Sequence, residues 1–185
     1  RHAVQAVGLV AQEALDERAP LRRGERGDAR ADLLDAVRRL LQHYAVTAQH
    51  ACQQLRGSDL MPTPPEGVPM PDVGDVASAR DWLSLETSNL LAAARFAGEH
   101  GSVDEVAAVA AAVAPWLEAD GLFTNAVGLH QLARRSVDST MRAAAADGLA
   151  SVYALAGDLE TARHWATLAV AESEGPRRIA AQIGH

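Results

Sequence analysis

Residues 114–133 read APWLEADGLFTNAVGLHQLA, and residues 150–169 read ASVYALAGDLETARHWATLA. Slid over one another by 36 residues, they agree in kind at six places: Ala114 with Ala150, Leu117 with Tyr153, Gly121 with Gly157, Phe123 with Leu159, Ala126 with Ala162, and Ala133 with Ala169. Each residue type has a physical use. A small Ala114 or Ala150 lets a first helix approach its partner closely. Gly121 and Gly157 suit a helix end, where positive φ costs glycine little. Phe123 and Leu159 are placed to plug the corner. Ala126 and Ala162 allow a second helix to cross nearby, and Ala133 and Ala169 are placed to pack on the next unit. A weaker copy of the glycine corner falls at Gly101, with Val103 and Val106, only 20 residues before Gly121. The unit is a helix–turn–helix, repeated.

Working outward, the punctuation predicts helices over 76–99, 103–119, 123–137, 140–156 and 159–173. Breaks are expected at Gly101, Gly121, Gly157 and Gly175, and a sixth helix begins at Pro176, a residue suited to a first turn. Acidic or capping-type residues follow three of these breaks, at Ser102–Glu105, Thr124–Asn125 and Asp158–Glu160. Loops this short force antiparallel neighbours. Residues 57–74 hold Pro62, Pro64, Pro65, Pro69 and Pro71. That stretch is expected to be an extended linker or a strap over the helices. Before it, Leu33, Leu34, Val37, Leu40, Leu41, Tyr44, Ala48 and Cys52 share one face of a helix from about 29 to 55, stopped at Gly57. A shorter helical pattern over 3–17 ends at Pro20, and 20–29 reads as an Arg/Gly loop. The expected organisation is therefore an N-terminal helical segment over 1–56, the linker over 57–74, and helical repeats over 75–185.

Composition narrows the function. The chain has 185 residues, a net charge of −7, 48% apolar residues and only 4% aromatics. Alanine-rich, amphipathic helices pack closely and favour stacked helix pairs over a sheet. The acidic balance argues against direct contact with nucleic acid, which needs a basic surface to neutralise phosphates. The Arg18–Arg30 stretch is interrupted by Glu25 and Asp28 and reads as a solvated loop. Lysine is absent and all 17 basic residues are arginine, a bias expected of a high-GC genome such as an actinobacterial one. No apolar run reaches the roughly 18 residues of a membrane span, and the single cysteine, Cys52, excludes an internal disulfide. The expected setting is a cytoplasmic segment of a larger protein.

The 36-residue unit resembles the tetratricopeptide repeat, whose helical hairpin is about 34 residues long. That likeness implies an all-α fold of antiparallel helix pairs, stacked as a right-handed superhelix. A second resemblance is more specific. Residues 82–94, WLSLETSNLLAAA, look like the W-L-x-x-E-x-x-N-L-x-A-A stretch that opens the tetratricopeptide region of bacterial signal-transduction ATPases. These are the AfsR-type regulators related to the Streptomyces antibiotic regulatory proteins. Residues 40–48, LLQHYAVTA, are similar to the L-L-x-x-Y-x-x-T-A helix that precedes the repeats in that family. The Pro-rich spacer, the Glu99-His100-Gly101 turn and the Ala112–Trp116 helix follow in order, so the likeness covers roughly residues 30–175. It implies a protein-interaction or sensor module of a transcriptional regulator. The nucleotide chemistry would lie elsewhere in the parent protein, since no GxxxxGK[ST] motif occurs here.

Under that resemblance Trp82, Glu86, Asn89, Gly121, Tyr153, Gly157 and Ala162 are structural signatures. Glu86 and Asn89 are expected to tie the start of their helix to a neighbouring backbone, and Trp82, Trp116 and Trp165 to pack between helices. Enzyme chemistry has no signature: there is no GxSxG, and Cys52 has no motif context. His43 and His50 share a helix face without the third or fourth ligand that a zinc site needs, so neither a metal nor a cofactor is expected. His130 and His164 are expected at helix interfaces. In tetratricopeptide arrays the first helix of each pair lines the concave, peptide-binding surface. By register Glu118, Asp147 and Ser151 fall there, with a protein or peptide as the expected partner. A stand-alone scaffold and a peptide or small-ligand sensor are the other readings the residues leave open.

Overall fold

The computed structural model describes residues 23–57, 71 and 73–183. The described chain is helical, with no strand. Its helices are α1 (Arg23–Arg56), α2 (Val76–Glu99), α3 (Val103–Ala119), α4 (Phe123–Ala133), α5 (Ser139–Leu155) and α6 (Leu159–Ile183). The pattern expected over 3–17 and most of the Pro-rich stretch lie outside the described residues. Within the latter, Pro71, Val73 and Gly74 are irregular, and Val73 is buried in the core.

Glycine sets three of the corners by one device. Gly101, Gly121 and Gly157 have φ of 94°, 74° and 85°. After each, a backbone N–H reaches back five residues: Ser102 to Ala97 O at 2.9 Å, Leu122 to Leu117 O at 2.7 Å, and Asp158 to Tyr153 O at 2.9 Å. That is the Schellman closure, and it satisfies carbonyls that the helix end orphans. Helix starts are capped by aspartate. Asp75 and Ser78 form a capping box, with Ser78 N donating to Asp75 Oδ1 at 2.8 Å. Asp138 accepts from Thr140 N at 2.7 Å and Met141 N at 3.1 Å. Asp158 accepts from Thr161 N at 3.1 Å. Ser102 stands at the start of α3 but makes no side-chain cap.

Helix ends differ from expectation in three places. α1 starts at Arg23, inside the expected 20–29 loop. Gly24 and Gly27 cost that helix about 1 kcal/mol each but do not forbid it, and Arg and Glu around them are good formers. α4 ends at Ala133, not 137. The N–H groups of Arg135 and Ser136 close tight turns onto Leu132 O and Ala133 O, and Asp138 is already engaged as the cap of α5. α6 runs through Gly175 and Pro176 without the expected break; nothing in the described contacts offsets the hydrogen bond the proline removes.

The helices pack in two interleaved sets. α1 packs on α2 and α3, α3 on α4 and α5, and α5 on α4 and α6; α2 also touches α3 and α4. α1, α3 and α5 are thus neighbours in series. The core follows alanine and small aliphatics. Leu41, Ala48, Leu83, Ala94, Val106, Val113, Leu117, Ala126 and Leu149 are all essentially sealed from solvent. Ala133, Ala162 and Ala169 are buried as their repeat positions require, and Cys52 belongs to the core. Phe123 leans on the core, but its repeat partner Leu159 is 65% exposed and plugs nothing. α2 packs on α4, with Gly98 close to Leu132. α4 meets α6 through Arg134, away from the second corner.

Candidate functional site

The two sequence stretches that carry the regulator resemblance meet each other. Tyr44 Oη donates to Glu86 Oε2 at 2.9 Å, and Asn89 Nδ2 donates to the same oxygen at 3.0 Å. The Tyr44 and Trp82 rings lie 6.2 Å apart in a tilted pair. Burial and the Glu86 carboxylate push the Tyr44 hydroxyl up, so it stays a donor. Glu86 therefore ties α2 to a side chain of α1, not to a neighbouring backbone as expected. Trp116 Nε1 donates to Thr87 Oγ1 at 3.2 Å, and Trp116 is buried between α2 and α3. Trp165 is half-buried, with the Arg134 guanidinium 5.6 Å from its ring centroid. His164 is exposed and edges Trp165, so it is not an interface residue.

A trough of about 770 Å³ runs between α1 and α3. Its α1 wall carries Gln42, Gln49, Gln53 and Arg56, and its α3 wall Ala108, Ala111, Ala112 and Pro115. The spacing explains the walls: 42, 49, 53 and 56 recur on one helical face, as do 108, 111, 112 and 115. Pro115, interior to α3, costs that helix one hydrogen bond. Gln53 Oε1 is buried without a hydrogen-bond partner in the described residues. Cys52 lines the trough from beneath, and burial holds its thiol up at about 11, so it stays protonated.

Glu118 is on α3 and Asp147 and Ser151 are on α5, and none of the three lines the trough. Ser151 hydrogen-bonds Glu118, and Arg56 of α1 acts on the same carboxylate. Burial raises the Glu118 pKa, while the Arg56 charge and the Ser151 bond oppose that rise. Asp147 lies one turn before Ser151, exposed, and its charge is felt at His130. The structure thus brings Glu118 and Ser151 together across α3 and α5, and adds Arg56. The glutamines and Arg56 were legible as a stripe on α1, but residue type alone gave no reason to prefer that stripe over a solvated face. At the other end Arg38 Nε pairs with Glu105 Oε1 at 2.8 Å, and Ser136 Oγ donates to Asp104 Oδ1 at 2.8 Å.

A second, smaller cavity of about 250 Å³ lies between α3, α4 and α5. Ala108 and Ala111 border both spaces. His130 forms part of its wall and is 5% exposed. Burial holds the imidazole down at about 4, against the pull of Asp147, so the ring is neutral at pH 7. Among the described residues no group of three His, Cys, Asp or Glu gathers as ion ligands, and no helix is long and apolar enough to cross a membrane. No family model, curated protein sequence or solved structure matches this chain.

Proposed function

We propose that the chain is the partner-binding or autoinhibitory module of a bacterial transcriptional regulator of the signal-transduction ATPase type, folded as a tetratricopeptide-like right-handed superhelix. The trough carries the reading. One of its walls is alanine and Pro115 from α3, and the other carries Gln42, Gln49, Gln53 and Arg56, whose amides and guanidinium give and accept the hydrogen bonds an extended peptide backbone requires. The small alanine side chains of the α3 wall let a backbone come close. Three corners of one geometry and the serial contact of α1, α3 and α5 support stacked helix pairs. The regulator half rests on the resemblance of residues 40–48 and 82–94, strengthened by the contact of those two stretches through Tyr44, Trp82 and Glu86.

The binding half is tested by selecting displayed peptides against the purified chain and measuring their affinity by fluorescence anisotropy. Selected peptides should lose roughly thirtyfold or more when Gln49 and Arg56 are changed together to alanine, since the Gln49 bond is neutral and the Arg56 bond charge-assisted. The pair Asp147→Ala and Ser151→Ala should weaken binding too, with the helical circular dichroism unchanged. Peptides that bind every variant equally, or a selection that enriches none, count against the trough. The regulator half is tested on the parent protein: a GxxxxGK[ST] motif N-terminal to these residues is expected.

A further inference from the structure

In the repeat register α6 matches α4: Phe123, Val127, His130 and Arg134 correspond to Leu159, Arg163, Ala166 and Val170. Residues at this spacing form one stripe along a helix. On α4 the stripe is covered. His130 rests against Gly148 of α5, Arg134 Nη1 donates to Arg142 O of α5 at 3.1 Å, and Phe123 and Val127 pack against the core. On α6 the stripe is bare. Leu159 and Val170 are 65% and 58% exposed, and Arg163 and Ala166 between them are exposed too. α6 packs on α5, and Ala162 and Ala169, which are buried, lie on the adjoining face. Apolar residues therefore run past the edge of what α5 covers, onto the face that on α4 receives the next helix.

We propose that this stripe of α6 is the docking face for one amphipathic helix of another protein, laid antiparallel across it as α5 lies on α4. This goes beyond peptide binding in the trough and does not depend on it. The α4–α5 contact says what such a helix must carry. His130 meets residue 148 and Arg134 meets residue 142, so the two helices run in opposite directions. Ala166 is a methyl where α4 has a ring, so the docked helix needs a small residue opposite it but not glycine. Leu159 and Val170 call for apolar side chains toward the two ends. Asp147 of α5 acts on His130 by its charge. A carboxylate in the same place on the docked helix would lie about one turn from Arg163, which stands where α4 has Val127. A second copy of α6 fits worse. Paired with itself, the stripe would bring two Arg163 guanidiniums within about one turn of each other in the middle of the contact.

The probe that stands in for such a helix is a fluorescein-labelled peptide with the sequence of residues 138–156, made once with Gly148 kept and once as Gly148→Ala. Each is titrated into the chain and followed by fluorescence anisotropy. Both should bind saturably, the alanine peptide at least as tightly, because alanine is the better helix former. Leu159→Glu and Val170→Glu should each weaken binding roughly tenfold or more, by removing an apolar contact and burying a carboxylate. Leu85→Glu, at an exposed leucine of α2, should change nothing. All three side chains are exposed, so these variants keep the fold. Ala166→His should turn the preference toward the peptide that keeps Gly148, as His130 requires of α5. The trough pair Gln49→Ala and Arg56→Ala should bind as the unaltered chain does. No saturable binding, binding indifferent to Leu159→Glu and Val170→Glu, a preference unmoved by Ala166→His, or loss of binding in the trough pair would each overturn the proposal. So would a dimer of the chain, seen by sedimentation, that Val170→Glu dissociates, since the occupant would then be a second copy.

Discussion

Among the helical glycines whose surroundings are described, Gly98, Gly128 and Gly148, only Gly148 should resist replacement by alanine. A Cβ built there would lie 2.2 Å from His130 Cε1, 2.5 Å from Nε2 and 2.6 Å from Nδ1. Carbon contacts are comfortable only at about 3.5–4.0 Å, so the ring must retreat by more than 1 Å or turn toward the alanine cavity. Overpacking of this kind costs about 1–3 kcal/mol. Against it stands the gain of about 1 kcal/mol from replacing glycine within a helix. Gly128 supplies the control, since a Cβ there meets nothing within 4 Å; Gly128→Ala should stabilise by that full gain. Gly98 is intermediate, 3.1 Å from the flexible end of Leu132, and should come out near neutral. The decisive quantity is the coupling between His130→Ala and Gly148→Ala in a double-mutant cycle, read from urea unfolding. About 1–3 kcal/mol of coupling is expected, with Gly148→Ala stabilising once the imidazole is gone. If Gly148→Ala raises the urea midpoint as much as Gly128→Ala does, the ring is not held where the structure puts it, and the cavity wall falls with it.

His130 also makes stability depend on pH. Its folded pKa is depressed to about 4 from 6.5, so the unfolded chain takes up a proton that the folded chain refuses. Stability is therefore full above pH 6.5 and declines as pH falls toward 4, by about 3 kcal/mol in all at 1.36 kcal/mol per pK unit. Urea midpoints at pH 7, 5.5 and 4.5 measure this slope, and His130→Leu should lack it. Below that window a separate acid loss is expected from Asp75, Asp138 and Asp158. Bonds from Ser78 N to Asp75, from Met141 N and Thr140 N to Asp138, and from the Thr161 side chain and N–H to Asp158 hold these carboxylates below their usual range. Asp138→Ala should lower the thermal midpoint, and Asp138→Ser should recover most of it, because either side chain can cap α5. Tyr44→Phe removes one donor to a carboxylate and should cost about 2 kcal/mol in urea unfolding, whereas Tyr153→Phe, lacking such a bond among those described, should be close to neutral.

Most of the helical boundaries could be read from the sequence because glycine at a corner is a local signal. Gly101, Gly121 and Gly157 stop their helices through backbone geometry that needs no tertiary partner. The failures share a cause. Gly24, Gly27 and Gly175 sit inside helices, since glycine permits a stop without compelling one. Leu159 has the residue type of a corner plug but stays exposed, because plugging requires a helix across the corner. Glu86 and Asn89 looked structural from their motif, yet their partner, Tyr44, lies 42 residues before Glu86 in the chain, and only the fold brings it close.

The site divides along the same line. Periodicity picked out Glu118 on α3 and Asp147 and Ser151 on α5, yet none of the three lines the trough. Periodicity could not find the His130 cavity, because its identity depends on a subtraction. In the repeat register His130 corresponds to Ala166. A ring has replaced a methyl where close packing wants a small residue, and Gly148 on α5 is the concession that makes room for it. Two departures that each weaken a helix repeat, a histidine on α4 and a glycine on α5, are intelligible only together. A pair of compensating departures that leaves a polar atom unpaired in an alanine-lined space is poor design for stability alone.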